Sequence, residues 1–155
     1  MTTDHLPRSV DLDDLTALHP LDDALALMYY GWRGMTREAD AYLATLGLSR
    51  VHHRILYTIA RRDGLTVGDL LAVLRITKQA LHRPMKHLRD GGLITTSRDP
   101  AHHRYKRLHL TAMGQSVEDQ ASGHERRRME QAFADAGPAA RDAWAAVMAS
   151  LGRYA

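Results

Sequence analysis

The run Thr77-Lys78-Gln79-Ala80-Leu81-His82-Arg83-Pro84-Met85-Lys86-His87-Leu88-Arg89 gathers side chains suited to reading an acidic surface rich in hydrogen-bonding groups. Leu81, Met85 and Leu88 recur at intervals of four and three, the spacing of one buried helical face. Lys78, Gln79, His82, Arg83 and Lys86 then fall on the solvated side, with no acidic residue before Asp90. Arg or Lys pairs with guanine edges and Gln with adenine, while Thr77 and the helix N-terminus suit a phosphate. An ordinary solvated face is the alternative, but such faces generally mix charge signs for i,i+4 support. Pro84 is the discordant residue. Inside a helix it removes a hydrogen bond and crowds the carbonyl of Ala80, at about 3 kcal/mol. A kink there, or a first turn set off from the rest, is the expectation.

A second cationic group follows: Arg98, His103, Arg104, Lys106 and Arg107. It lies in and just after the polar turn Arg98 to Arg104, between strand-like Leu93 to Ser97 and a returning strand from Tyr105 to Leu110. A hairpin tip carrying Arg fits the minor groove of a duplex, where narrow tracts attract guanidinium. Phosphate contacts are therefore expected from Lys78, Arg83, Lys86, Arg98, Arg104, Lys106 and Arg107, and base discrimination from Gln79, His82 and Arg83. Charge is distributed accordingly. Residues 1–50 carry net −4, residues 51–114 net +8 and residues 115–155 net −1. A basic centre between acidic flanks is the footprint of a chain whose middle meets a polyanion.

Other chemistries find little support. There are ten histidines, but His52-His53 and His102-His103 are adjacent pairs, and neighbours on a helix diverge by about 100°. No HExxH, phosphate-binding glycine loop or Gly-x-Ser-x-Gly is present, so neither a metal site, a cofactor nor an enzymatic activity is expected. The absence of Cys removes disulfides, thiolate ligands and thiol-based redox switching. No stretch approaches the roughly 20 apolar residues of a transmembrane helix, and MTTDHLPRSVDLDD lacks the apolar centre of a secretory signal. A cytoplasmic protein with no membrane partner is the resulting expectation.

The elements that must position these residues can be read from periodicity and punctuation. Residues 1–18 read as a mobile arm or short helix. Leu21, Leu25, Met28, Trp32, Met35, Ala39, Tyr42 and Leu46 form an a/d stripe, about 39 Å long as a helix, that exceeds what a small core needs. A second copy of the chain is the simplest cover. Gly31 and Gly34 are points where that helix could bend. Ser49 caps a helix to about Arg62, Thr66 with Asp69 opens one through Leu74, and Thr77 opens another ending at Gly91-Gly92. After the hairpin, one helix runs from Thr111 to about Ala136. A last helix carries Trp144, Val147, Met148 and Leu151 on one face. The sum is a mainly α chain with a small β-hairpin wing (α+β): a winged helix-turn-helix with helical extensions at both ends.

Leu48-Ser49-x-x-His52-x-x-Ile55-Leu56, Leu65-Thr66-x-x-Asp69-Leu70 and Leu88-x-x-x-Gly92-Leu93-Ile94 together resemble the MarR family of winged-helix regulators. Asp99-Pro100-x-x-x-Arg104 and Leu108-x-Leu110-Thr111-x-x-Gly114 extend the resemblance through the wing. The chain departs from the family pattern at His102, where an Asp is common, at Arg75, where Gly is frequent, and at Pro84. The resemblance implies one domain over 1–155, with about 48–110 as the DNA-binding lobe and about 20–46 and 111–155 as dimerisation helices. It further implies a homodimer on a palindromic operator of double-stranded DNA. Such a regulator is expected to act as a repressor released by a small aromatic or anionic effector. Tyr29, Trp32, His53 and Tyr57 are the expected effector-lining residues, with simple core packing as their alternative role. A winged-helix interaction scaffold that binds no DNA, and a histidine-based metal sensor, are the competing functional expectations.

Overall fold

The structure is a computed structural model in which residues 19–102 and 104–154 are described. The expected N-terminal arm and the wing residue His103 lie outside the described residues. The elements are α1 (Asp22–Thr45), α2 (Arg50–Arg61), α3 (Val67–Leu74), α4 (Lys78–Asp90), β1 (Ile94–Arg98), β2 (Lys106–Leu110), α5 (Ala112–Ala136) and α6 (Ala140–Gly152). The order matches a winged helix-turn-helix with helical flanks. The chain divides within α1 into two compact units, Met1–Met35 and Thr36–Ala155.

In the second unit, Leu56 and Ile59 of α2, Leu70 of α3, Leu81, Met85 and Leu88 of α4 and Leu108 of β2 enter one core. Val117 and Ala121 of α5 join it, as does Leu43 from the end of α1. Leu43, Ile55, Leu56, Ile59, Leu70 and Leu88 are completely inaccessible. Truncating any one to Ala costs about 2–5 kcal/mol in such surroundings.

Local chemistry sets the helix boundaries. Thr66 Oγ1 accepts from the Asp69 amide at 3.1 Å, and the Asp69 carboxylate accepts from the Thr66 amide at 2.9 Å, the reciprocal cap expected for α3. Thr77 and Thr111 cap α4 and α5 in one direction only, accepting from the Ala80 and Gly114 amides. The turn between α3 and α4 passes through Arg75 at φ 51°, a left-handed conformation unfavourable for a residue with a Cβ.

Helix α4 runs from Lys78 to Asp90 with Pro84 inside it. The first turn is therefore not set off as a separate element; Leu81 before the proline and Met85 and Leu88 after it enter the same core. The strands begin one residue later than expected. The Leu93 amide donates to the Leu88 carbonyl at 2.9 Å, so Leu93 closes the end of α4 instead of opening the ladder. Tyr105 likewise belongs to the turn, where its amide donates to the His102 carbonyl.

The strands pair antiparallel from Ile94 opposite Leu110 to Arg98 opposite Lys106. The other edge of β2 is covered: the Gly64 amide donates to Leu108, and Leu108 donates to Leu65. This ties the hairpin to the segment preceding α3. The start of α5 lies so close to Leu93 that a Cβ on Gly114 would sit 1.9 Å from the Leu93 carbonyl oxygen.

Candidate nucleic-acid interface

The buried stripe Leu81, Met85, Leu88 turns the remainder of α4 outward. Thr77, Lys78, Gln79, His82, Arg83 and Lys86 are all exposed. Lys86 pairs with Asp90 one turn on, whereas Lys78, Gln79, His82 and Arg83 form no side-chain hydrogen bond or ion pair among the described residues. The exposed N-terminal turn therefore presents free donors beside the positive end of the helix dipole.

The wing supplies a second set. Arg98 and Lys106 face one another across the last rung of the ladder, and both are exposed, as is Arg104 in the turn. None of the three is engaged by another side chain among the described residues. Arg107 differs. Its Nε donates to Asp99 Oδ2 at 2.8 Å, its Nη2 reaches the same oxygen, and its Nη1 donates to the Gly64 carbonyl at 2.9 Å. Its guanidinium thus braces the hairpin against the residues before α3.

Asp99, only 3% exposed, is the anchor of this brace. Its Oδ1 accepts from the amides of Ala101 at 2.7 Å and His102 at 3.0 Å, which shapes the turn. The Ala101 amide does most to hold its carboxyl below the usual carboxylate range, helped by the His102 amide and Arg107 and opposed by burial. The Asp absent at 102 is thus not needed to order the turn, and Arg104 is left without an acceptor among the described residues.

His109 is a second brace that sequence reasoning missed. Its Nδ1 lies 2.8 Å from Asp63 Oδ1 and its Nε2 2.8 Å from Ser97 Oγ, linking both strands to the turn after α2. The alternation of β2 places His109 on the same face as Arg107, a signal present in the chain, but Asp63 is brought to it only by the tertiary fold. His52, named in the sequence only as part of a motif, has a capping role that was not read there. Its Nδ1 accepts from the Ser49 amide at 3.0 Å, and its ring stands edge-on to His87 of α4, with centroids 4.8 Å apart. Burial, and secondarily His87, lower its pKa below that of an ordinary histidine.

The expected effector residues fall in different settings. Tyr29 and Trp32 are about half exposed on α1, and the Tyr29 hydroxyl accepts from Arg33 Nη1 at 3.1 Å. His53 is 3% exposed, and both its ring nitrogens are engaged. Tyr57 is half-buried, with the Arg61 guanidinium 3.5 Å and that of Arg54 5.6 Å from its ring centre. No three His, Asp or Glu side chains converge as metal ligands among the described residues, and no described helix is long and apolar enough to cross a membrane.

Known proteins place this geometry. The MarR family model matches residues 46–104, from just after α1 into the wing turn. The HTH-type transcriptional regulator PetP of Rhodobacter capsulatus is 38% identical over 120 residues, covering 77% of this chain and 72% of that protein. A MarR-family transcriptional regulator from Silicibacter pomeroyi superposes with a TM-score of 0.60 at 26% identity, covering 80% of this chain and 86% of that one. The MepR–DNA complex of S. aureus shares the fold at a TM-score of 0.69 and 17% identity, covering 84% and 97% respectively. With a relative this similar along most of its length, the chain belongs to the MarR family of transcriptional regulators.

Proposed function

We infer that this regulator binds double-stranded DNA as a homodimer, reads a palindromic operator and represses transcription until a small aromatic or anionic effector releases it. The observation that carries the reading is the exposed, unengaged donor set of α4 beside the braced wing. Lys78, Gln79, His82 and Arg83 enter a major groove, with Thr77 and Lys86 at its phosphate rim. Arg98, Arg104 and Lys106 approach the adjacent minor groove, a role assigned also to His103, while Arg107 acts by holding the wing in position. That MepR of the same fold has been crystallised with DNA supports the same use of these elements here.

Dimerisation is supported by exposed apolar side chains on α1 and on α6. Leu21, Leu25, Met28 and Trp32 of α1 are 46–69% exposed, and Trp144, Val147 and Leu151 of α6 are 46–55% exposed. Apolar stripes of this size mark an interface. A twofold pair then presents two α4 helices to half-sites about one duplex turn apart. The effector role assigned to Tyr29, Trp32, His53 and Tyr57 is supported chiefly by Tyr57, beside whose ring stand the guanidinium groups of Arg61 and Arg54, cations that suit a planar anion.

The test is duplex binding over a salt series. Log affinity should fall linearly with log salt, and Arg83→Ala should relax base preference within the selected site. A salt-insensitive or absent interaction with every duplex would exclude the reading and favour a protein-interaction scaffold.

A further inference from the structure

His53 sits where the end of α1, helix α2 and helix α5 meet, and its hydrogen bonds run in one direction. Its Nδ1 lies 3.1 Å from Arg50 Nη1, and its Nε2 lies 3.2 Å from Ser122 Oγ. A guanidinium can only donate, so Nδ1 is the bare nitrogen and Nε2 carries the proton. The Ser122 hydroxyl is itself a donor to Glu118 Oε1, and Glu118, 1% exposed, also accepts from Arg61 at 2.9 Å. Arg50 completes the junction by donating to the Thr36 carbonyl, Asp40 and Glu125.

This relay requires a neutral imidazole. A second proton would occupy Nδ1, the atom to which Arg50 donates, and set two donors against each other. The acceptor within reach is Glu125 Oε1, 3.8 Å from Nδ1. Protonation therefore breaks the Arg50–His53 contact and turns the new N–H toward Glu125 Oε1, the oxygen that already accepts from Arg50, whose other partners are Asp40 and Thr36 on α1. Among the groups facing the ring, Glu125 and Glu118 of α5 favour the proton, while Arg50 and Arg54 of α2 oppose it. Burial opposes it most and holds the pKa below that of an ordinary histidine. The relay thus has two discrete pairings, selected by one proton.

We propose that His53 is a proton-operated switch that re-pairs from Arg50 to Glu125 in acid, shifts α2 against α5 and weakens operator binding. Its link to the operator rests on the DNA-binding reading above, because α2 packs directly on α4 within the lobe.

The test compares wild type with His53→Gln, whose amide can accept from Arg50 and donate to Ser122 but takes no proton. Affinity is measured at pH 7.5 and 5.5, at fixed ionic strength, for a duplex that the wild-type protein selects from a random-sequence pool. Histidines nearer the interface, among them His82, His87 and His109, are present in both proteins, so the difference in pH response belongs to His53. Wild type should lose about fivefold more affinity than the variant, at the low end of coupling between sites. An identical pH response would overturn the switch. Amide exchange of the free proteins supplies a readout without DNA: amides near residues 50–53 and 122–125 should lose protection in acid only in wild type. If no duplex binds at any pH, the DNA-binding reading fails, and equal exchange in both proteins would separately refute the switch. If His53→Gln does not fold, Glu125→Gln replaces it. Having lost the negative charge that pairs with the imidazolium, it should show no acid-induced loss of protection, and a wild-type response would overturn the proposal.

Discussion

Arg104→Ala isolates the electrostatic contribution of the wing, because the side chain is exposed and makes no side-chain hydrogen bond or ion pair among the described residues. Each phosphate contact contributes about −0.9 to the slope of log affinity against log salt. The proposed twofold dimer would lose two such contacts per substitution, so the slope should become shallower by about 1.8. Between 50 and 200 mM salt, a fourfold change, that difference amounts to about a tenfold smaller loss of affinity than in wild type. Fluorescence anisotropy of a labelled operator duplex at four or more salt concentrations reads the slope directly, and thermal unfolding confirms an intact fold. The affinity at low salt should itself fall, since two attractive contacts are gone. A slope equal to that of wild type, with the fold intact, would refute the placement of the wing tip on phosphate. A slope reduced by half the stated amount would mean that one wing of the pair reaches DNA.

Three further perturbations test how the interface is held. Arg75→Gly should stabilise the lobe by about 1 kcal/mol in thermal or denaturant unfolding, because the residue sits at φ 51°, where a Cβ is unfavourable. Gly114→Ala should destabilise by about 3 kcal/mol or more, since the added carbon meets the Leu93 carbonyl at 1.9 Å and backbone must move; unfolding at the wild-type denaturant concentration would contradict that packing. Asp99 has a pKa lowered by folding, so its charged form adds stability that is complete above the ordinary value of 3.8 and is lost as pH falls through the lower folded-state value. Asp99→Asn should therefore melt below wild type near neutrality and converge with it in strong acid, and a gap that persists in acid would show that charge is not what the site uses.

The winged helix-turn-helix was legible in the chain because its signals are local. Thr66 with Asp69, Thr77 and Thr111 satisfy amides three residues away, so their caps form wherever those segments turn helical. The four-and-three spacing of Leu81, Met85 and Leu88 likewise settles which face of α4 is buried and hence which donors are exposed. Strand bounds were less legible. Leu93 and Tyr105 have side chains suited to a strand, but their amides are taken by the end of α4 and by the wing turn.

What only the tertiary structure decided is which charged and polar side chains are used inside the molecule. Arg107 and Arg104 are equivalent by composition, yet one is held by Asp99 and Gly64 and the other is unengaged in the described fold. Similarly, His109 meets Asp63 across 46 positions, and His53 meets Ser122 across 69. A periodic pattern reports burial of a face, because burial averages over many neighbours. A hydrogen bond depends on two atoms brought within about 3 Å, and for residues this far apart that distance is a product of the whole fold.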